Sequence, residues 1–176
     1  MNEITIKFIG KENAANINIK NEAFNLFGHM FPYYQDGKWG YSVIESKEIS
    51  TDIFPDENYV FENMEKDHFF IGAYDGEMCI GLAIFQMQWH KYVYLHDLKV
   101  NSAYRGQRIA TKMIEESEDY LKRLNYRGIW TIAQNNNLGA CLFYINNGFR
   151  IGGLDTETYN GTKLEGVFDI HFYKEI

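Results

Sequence analysis

The sequence predicts an α/β (α+β) domain whose central sheet is mixed, antiparallel in its N-terminal part and parallel in its C-terminal part, flanked by helices. Three observations carry that reading. His68 to Tyr74 and Met78 to Trp89 flank Asp75-Gly76, and an Asp-Gly pair supplies the positive φ angles of a tight hairpin. Tyr92 to Ala110, YVYLHDLKVNSAYRGQRIA, runs from an apolar strand through a polar turn into a helix start. A strand, helix, strand, helix order follows, which sets this half in a parallel, right-handed crossover arrangement.

Ile4 to Ile9 alternates, with Ile4, Ile6 and Phe8 on one side, and reads as a first strand. Asn21 to about Asn58 is irregular, holds Pro32 and Pro55, and has five aromatics between Phe31 and Tyr41. It reads as a short helix and long loops over one end of the sheet. After the hairpin, Tyr92 to Val100 continues the meander. Ile109, Ala110, Met113, Ile114, Ser117, Tyr120, Leu121 and Leu124 then fall on one helical stripe, with Glu115, Glu116, Glu118 and Lys122 off it. Gly128 to Ala133 reads as a short buried strand and Asn137 to Asn147 as a second helix, with Gly148 placed to end it. Phe149 to Thr156 and Val167 to Tyr173 read as two closing strands.

A chain of 176 residues with 45% hydrophobic content fits one domain spanning 1–176. It carries no repeat, low-complexity tract or linker. Cys79 and Cys141 lie in apolar segments with neither a CxxC spacing nor a nearby histidine pair. They read as buried thiols in a reducing compartment, and no metal site is expected. The N-terminal MNEITIKFIG lacks a basic region followed by a long apolar run, and no stretch reaches the roughly 18 apolar residues of a membrane span. The expected location is cytoplasmic, with no membrane partner. A net charge of -7 disfavours nucleic acid and favours a cationic substrate. A homodimer is compatible with these features.

The strand, turn and helix N-terminus of Tyr92 to Ala110 leave several backbone N–H groups pointing one way, the arrangement that holds a diphosphate without a metal. A dinucleotide-dependent oxidoreductase is disfavoured, because no GxGxxG follows the first strand.

The order of a hairpin, the strand YLHDLKV, the turn RGQRIA, an amphipathic helix, a strand ending in Gln134 and NNLGACLFYINNGFRIG resembles the GNAT superfamily of acyl-CoA-dependent N-acyltransferases. FGHMFPYYQDGKW, WHKYVYLHDLKV, AQNNNLGACLFYINNGFRIGGLDT and an aromatic last strand extend the resemblance, along nearly the whole chain, to the streptothricin acetyltransferase group. The resemblance implies acetyl transfer from acetyl-CoA to an amine of a small cationic substrate, by direct attack on the thioester. In this group that substrate is the antibiotic streptothricin. A polyamine, an aminoglycoside or a peptide amine is the alternative acceptor, and an acyl-CoA-binding module without catalysis is the alternative function.

By the same resemblance, Arg105, Gly106, Gln107, Arg108, Ile109 and Ala110 match the turn that holds the pyrophosphate of CoA. Arg108 stands where the pattern has glycine, and its guanidinium either crowds the phosphates or adds a charged contact. The main chain of Leu98, Lys99 and Val100 matches the strand along which pantetheine lies, with an N–H placed to polarise the thioester carbonyl. Ala140 to Tyr144 match the family's A-x-x-F-Y run, making Tyr144 the acid that protonates the leaving thiolate, or else a core aromatic. Asn137 matches an asparagine that bonds pantetheine, or else caps the helix. His96 and Asp97 stand where relatives carry a glutamate followed by an aspartate, and Ile132 replaces another glutamate. His96 is a base acting through a water or a structural hydrogen-bonding residue. Asp97 attracts the cationic acceptor or fixes a turn. Tyr33, Tyr34, Trp39, Tyr41 and Tyr94, with Asp36 and Glu45, form either an acceptor pocket suited to cation–π contacts or a satellite core.

Overall fold

The computed structural model describes residues 3–176. In chain order its first half holds β1 (Ile4–Phe8), a 3-10 segment Lys11–Asn18, β2 (Phe24–Gln35), β3 (Lys38–Asp52), α1 (Phe61–Met64), β4 (His68–Asp75) and β5 (Met78–Gln86). There follow β6 (Tyr92–Val100), a 3-10 turn Ser102–Tyr104, α2 (Ile109–Arg123), β7 (Gly128–Gln134), α3 (Leu138–Asn146), β8 (Arg150–Asp155) and β9 (Asp169–Glu175). These elements fall into two compact units, one formed by residues up to Glu22 with Phe54–Ile129 and Ile176, the other by Ala23–Ile53 and Trp130–Glu175. Among the described residues no helix is long and apolar enough to cross a membrane.

In the first unit β1, β4, β5 and β6 pair antiparallel in that order. The β4–β5 hairpin forms as its sequence implies, with the loop at Gly76 and Glu77, one residue later than the Asp75-Gly76 reading. Gly76 supplies the one positive φ the loop needs, at 61°, while Asp75 stays in the strand opposite Met78. Ile9, Ile17, Phe61, Phe70, Leu82 and Ile84 form a core on one face of the sheet. On α2, Ile109, Met113, Ile114, Ser117 and Leu121 are buried, at roughly 2 kcal/mol for each apolar member. The Ser117 hydroxyl is satisfied within the helix by Ile114 O at 2.7 Å. Leu124 departs from the stripe: it follows the last helical turn and is 42% exposed.

In the second unit the irregular reading of residues 21–58 is corrected. β2 and β3 form a long antiparallel hairpin from Phe24↔Asp52 to Gln35↔Lys38. Its two-residue loop is Asp36-Gly37, with φ of 52° and 77°, so the Asp-Gly turn with two positive φ angles that the sequence suggests for the other hairpin is found here instead. Pro32 is accommodated because a two-stranded hairpin has free edges that need no ladder donor. β9 lies between β7 and β8, and Asn135 N–H donates to Phe168 O while Met30 N–H donates to Asn135 O. α3 begins at Asn137, whose side chain accepts from Ala140 N–H at 3.1 Å. It ends in a Schellman turn, with Phe149 N–H donating to Tyr144 O and Gly148 N–H to Ile145 O. The Tyr144 and Phe149 rings, 5.2 Å apart, supply that motif's apolar contact.

Candidate active site

The loop from β6 to α2 has the backbone of an anion cradle. Gly106 adopts φ 78°, and a Cβ built there would meet nothing within 4 Å, so glycine is held by the backbone angle with open space beside it. Arg108 is the N-cap of α2 at φ 60°, ψ 19°, with no side-chain cap, and the first turn contains no acidic residue. Donors at such an end favour an anion. The left-handed angle explains why a glycine suits this position. Arg108 tolerates it with a largely exposed side chain that reaches to 3.7 Å from Glu115. Arg105 braces the loop by donating from Nε to Val100 O at 3.0 Å, and Glu22 accepts from Ser102 N–H on the loop's other side.

On the last part of β6, just before this loop, Asp97 and Lys99 belong to an ionic cluster that the sequence discloses only in part. Lys99 Nζ sits 2.7 Å from Glu57 Oε2 and 2.8 Å from Asp97 Oδ2, and Tyr59 Oη donates to Asp97 Oδ2 at 3.4 Å. Burial raises the Asp97 carboxyl above its ordinary range, with Lys99 only partly offsetting it. For Lys99 burial pulls downward, and the Asp97 and Glu57 carboxylates outweigh it, so its ammonium is held above the usual value. Glu57 is lowered overall, burial being overcome by hydrogen bonds from Lys99 and Asn21. Burial, then Asp97 and Glu57, push the Tyr59 phenol well above its normal value. Asp97 is thus already paired with a cation, and Lys99 spends its side chain there.

His96 occupies a β-bulge. Ile84 pairs with Asp97 and Phe85 with Leu95, which leaves His96 as the extra residue on β6. Its ring stacks on Tyr94 at 5.7 Å and meets Tyr59 edge-on at 5.8 Å. Its ring keeps one side open to solvent, but partial loss of surrounding water, followed by the charge of His68, holds its pKa below the usual imidazole value. His68, which the sequence did not single out, faces it across the sheet.

On the second unit Tyr144 is buried among Phe143, Phe149 and Phe172, with ring centroids 5.2 to 5.4 Å away. Asn137 and Ala140 bond to each other in the helix cap, so the capping alternative describes the Asn137 side chain. The neighbouring Asn136 has a buried Oδ1 with no hydrogen-bond partner among the described residues. Cys141 is also buried, and burial pushes its thiol up to about 12, the behaviour of an inert core cysteine. Tyr33, Tyr34 and Trp39 gather at the β2–β3 tip. Tyr34 and Trp39 meet edge-on at 5.1 Å, and Tyr33 lies over Gly40, where an added Cβ would come within 2.5 Å of the ring. Tyr33 and Tyr34 are 52% and 63% exposed, which is incompatible with a satellite core.

A family model described as the acetyltransferase (GNAT) family matches residues 30–149. The chain belongs to the GNAT acetyltransferase family. It is an acyltransferase, and acetyl-CoA is its cofactor. Streptothricin acetyltransferase A of Bacillus subtilis (strain 168) is 26% identical to it over 162 residues, covering 92% of this chain and 94% of the relative. Among solved structures, a protein from Bacillus anthracis str. Ames, named as a streptothricin acetyltransferase and crystallised with acetyl coenzyme A, is similar with a TM-score of 0.87. Its identity is 22%, covering 99% of this chain and 100% of that one. Nourseothricin acetyltransferase is similar with a TM-score of 0.79 and 18% identity, covering 98% of each chain. At these identities the structures speak for the fold, which is the mixed α/β arrangement that the order of strands and helices implies.

The residues present fit acetyl-CoA. The uncapped α2 start and open Gly106 suit its diphosphate.

Proposed function

We propose that the whole chain works as one N-acetyltransferase domain, which transfers the acetyl group of acetyl-CoA to an amine of a small cationic substrate of the streptothricin type. The observation that carries this reading is the likeness to streptothricin acetyltransferase A of Bacillus subtilis over 92% of the chain. The acidic net charge and the exposed aromatics of the β2–β3 tip are consistent with a cationic acceptor.

When bound, acetyl-CoA supplies an acyl group already activated as a thioester. Backbone N–H groups of Gly106, Gln107, Arg108, Ile109 and Ala110 hold the diphosphate, and the Arg108 guanidinium, free to swing from an exposed position, adds charge to that contact. The main chain of Leu98, Lys99 and Val100 orients the pantetheine. An aliphatic amine near pKa 10 arrives as an ammonium, so a base must remove a proton before its nitrogen is nucleophilic. His96 fills that role: its lowered pKa leaves the ring neutral and basic near pH 7. Tyr94, stacked on His96, and the tip residues Tyr33, Tyr34 and Trp39 hold the acceptor. Asp97, paired with Lys99, orients the cluster beside His96 and supplies its negative potential in common with Glu57. Tyr144 gives its hydroxyl proton to the departing sulfur.

The test is release of free thiol from acetyl-CoA in the presence of streptothricin, spermidine, an aminoglycoside or a short peptide, with Tyr144→Phe alongside. Streptothricin is expected to be the best substrate. Tyr144→Phe, which keeps the ring packing, is expected to lose about 10²–10⁴-fold in kcat. Turnover preferring another amine would refute the acceptor, and an unchanged Tyr144→Phe would refute the acid.

A further inference from the structure

We propose that Asp67 and His68 form a relay that fixes the His96 imidazole in the tautomer whose Nε2 accepts the substrate's proton, which makes His68 a positioning residue for acetyl transfer. This rests on the reading of the chain as an amine acetyltransferase.

The proton positions follow from the partners. His68 Nδ1 lies 2.7 Å from Asp67 Oδ1 and 3.2 Å from Met64 O. Both neighbours are acceptors only, so this nitrogen carries the hydrogen. A neutral His68 then has a bare Nε2, and that atom lies 3.3 Å from His96 Nδ1. Two bare nitrogens do not bond, so His96 Nδ1 carries its hydrogen and donates it to His68. The nitrogen left with a lone pair is His96 Nε2. The line of bonds begins at a carboxylate, passes through a His68 side chain only 8% exposed, and ends on an exposed ring.

The surroundings hold this line in place. Gln86 Nε2 donates to the second Asp67 oxygen at 3.2 Å, which aims the carboxylate. His68 stacks on Phe70 at 9° between ring planes. The bulge at position 96 frees the His96 side chain from the strand's alternation and turns it toward His68. The charged and titratable groups around His96 are Tyr59 and Tyr94 against its ring, Asp97 beside it in sequence, and Glu57, Asp67 and His68.

In the step itself the ammonium N–H bond breaks, its electron pair stays on the nitrogen, and the proton bonds to His96 Nε2. The imidazolium keeps its Nδ1–H bond to His68 Nε2, and the His68 Nδ1–H bond to Asp67 carries the carboxylate's field toward the new charge. Asp67 stays ionised: its pKa is already held below the ordinary carboxylate value, chiefly by hydrogen bonds from Gln86 and His68.

The test uses the full chain labelled with ¹⁵N-histidine, with His68→Phe, His68→Gln and His96→Gln as variants and circular dichroism to check folding. In the parent near neutral pH, two-bond ¹H–¹⁵N correlation is expected to show His96 protonated on Nδ1 and bare on Nε2. His68→Phe, which keeps the ring volume, is expected to release His96 to the Nε2–H tautomer. It should also lower kcat/KM for the acceptor by about tenfold, a part of the roughly 10²–10⁴-fold a general base contributes, and move the acidic limb of the pH profile. His96→Gln should abolish that limb. If His68→Phe does not fold, His68→Gln, whose amide can still accept from Nδ1–H, is expected to retain the tautomer and most of the activity. An Nε2–H tautomer in the parent, or a pH limb and tautomer unmoved in His68→Phe, would overturn the relay while leaving amine acetylation standing. Absence of turnover with any amine would remove the acetylation reading and the relay's role together, even with the expected tautomer.

Discussion

Replacing Lys99 with methionine withdraws the cation from a site that holds two carboxylates, and the structure fixes how costly that is. Lys99 and Asp97 are 11% and 13% exposed in their side chains, Glu57 30%, with Nζ to oxygen distances of 2.7 and 2.8 Å. At an effective dielectric of about 20 and about 4 Å between charge centres, one such attraction is about 4 kcal/mol. Desolvation of the ions and about 2 kcal/mol of lost lysine rotamer freedom oppose it, so the intact pair is worth little net. Removing one partner is different, because the largely buried Asp97 and the part-exposed Glu57 are left without the cation they share. The expected loss is about 3 kcal/mol. Urea unfolding with a slope of about 2 kcal/mol/M would show the midpoint fall by about 1.5 M. Asp97→Asn in the same background should recover about 2 kcal/mol, a coupling read from the double-mutant cycle. The deficit should shrink on acidification, since the Asp97 carboxyl, already raised by burial, takes up a proton and no longer repels Glu57. Additive single effects, or a Lys99→Met protein as stable as the parent, would refute this account of the cluster.

The lowered pKa of His96 means that the unfolded chain binds its proton more readily, so this group's contribution to stability is present above pH 6.5 and is lost as pH falls below it. Urea midpoints of the parent should therefore decline from about pH 7.5 to about pH 5 more steeply than those of His96→Gln, and equal slopes would contradict the assignment. Arg108→Gly relieves a left-handed backbone angle at the expense of an exposed 3.7 Å ion pair that contributes almost nothing. Melting should show a gain of about 0.5–1 kcal/mol, while calorimetry with acetyl-CoA should show several-fold weaker and less salt-sensitive binding. Unchanged affinity would place the guanidinium outside the cofactor contact.

What the sequence disclosed is what local rules encode. The β4–β5 hairpin, β6 and α2 announce themselves through a turn glycine, an apolar run and a helical stripe, and Gly148 marks the end of α3. The β2–β3 hairpin escaped although Asp36-Gly37 is the same turn signal, because much of its length is exposed on both faces and no alternation of apolar and polar residues survives. Asp97 and Lys99, two apart on a strand, are neighbours by simple alternation, but Glu57 joins them only through the fold. His68 reaches His96 by a cross-strand register and a bulge that no local pattern reveals. Among the consecutive asparagines 135–137, the helix start decides which one caps and which one keeps an unpaired buried oxygen.

Isothermal titration of acetyl-CoA into the parent chain and into Gly106→Ala tests most directly whether the backbone donors of the loop into α2 hold the cofactor. The expected result is one saturable site of micromolar affinity, about −8 kcal/mol, weakened at least several-fold when a side chain is forced onto the 78° φ of residue 106. A flat titration of the parent, or equal affinity in the variant, would contradict it.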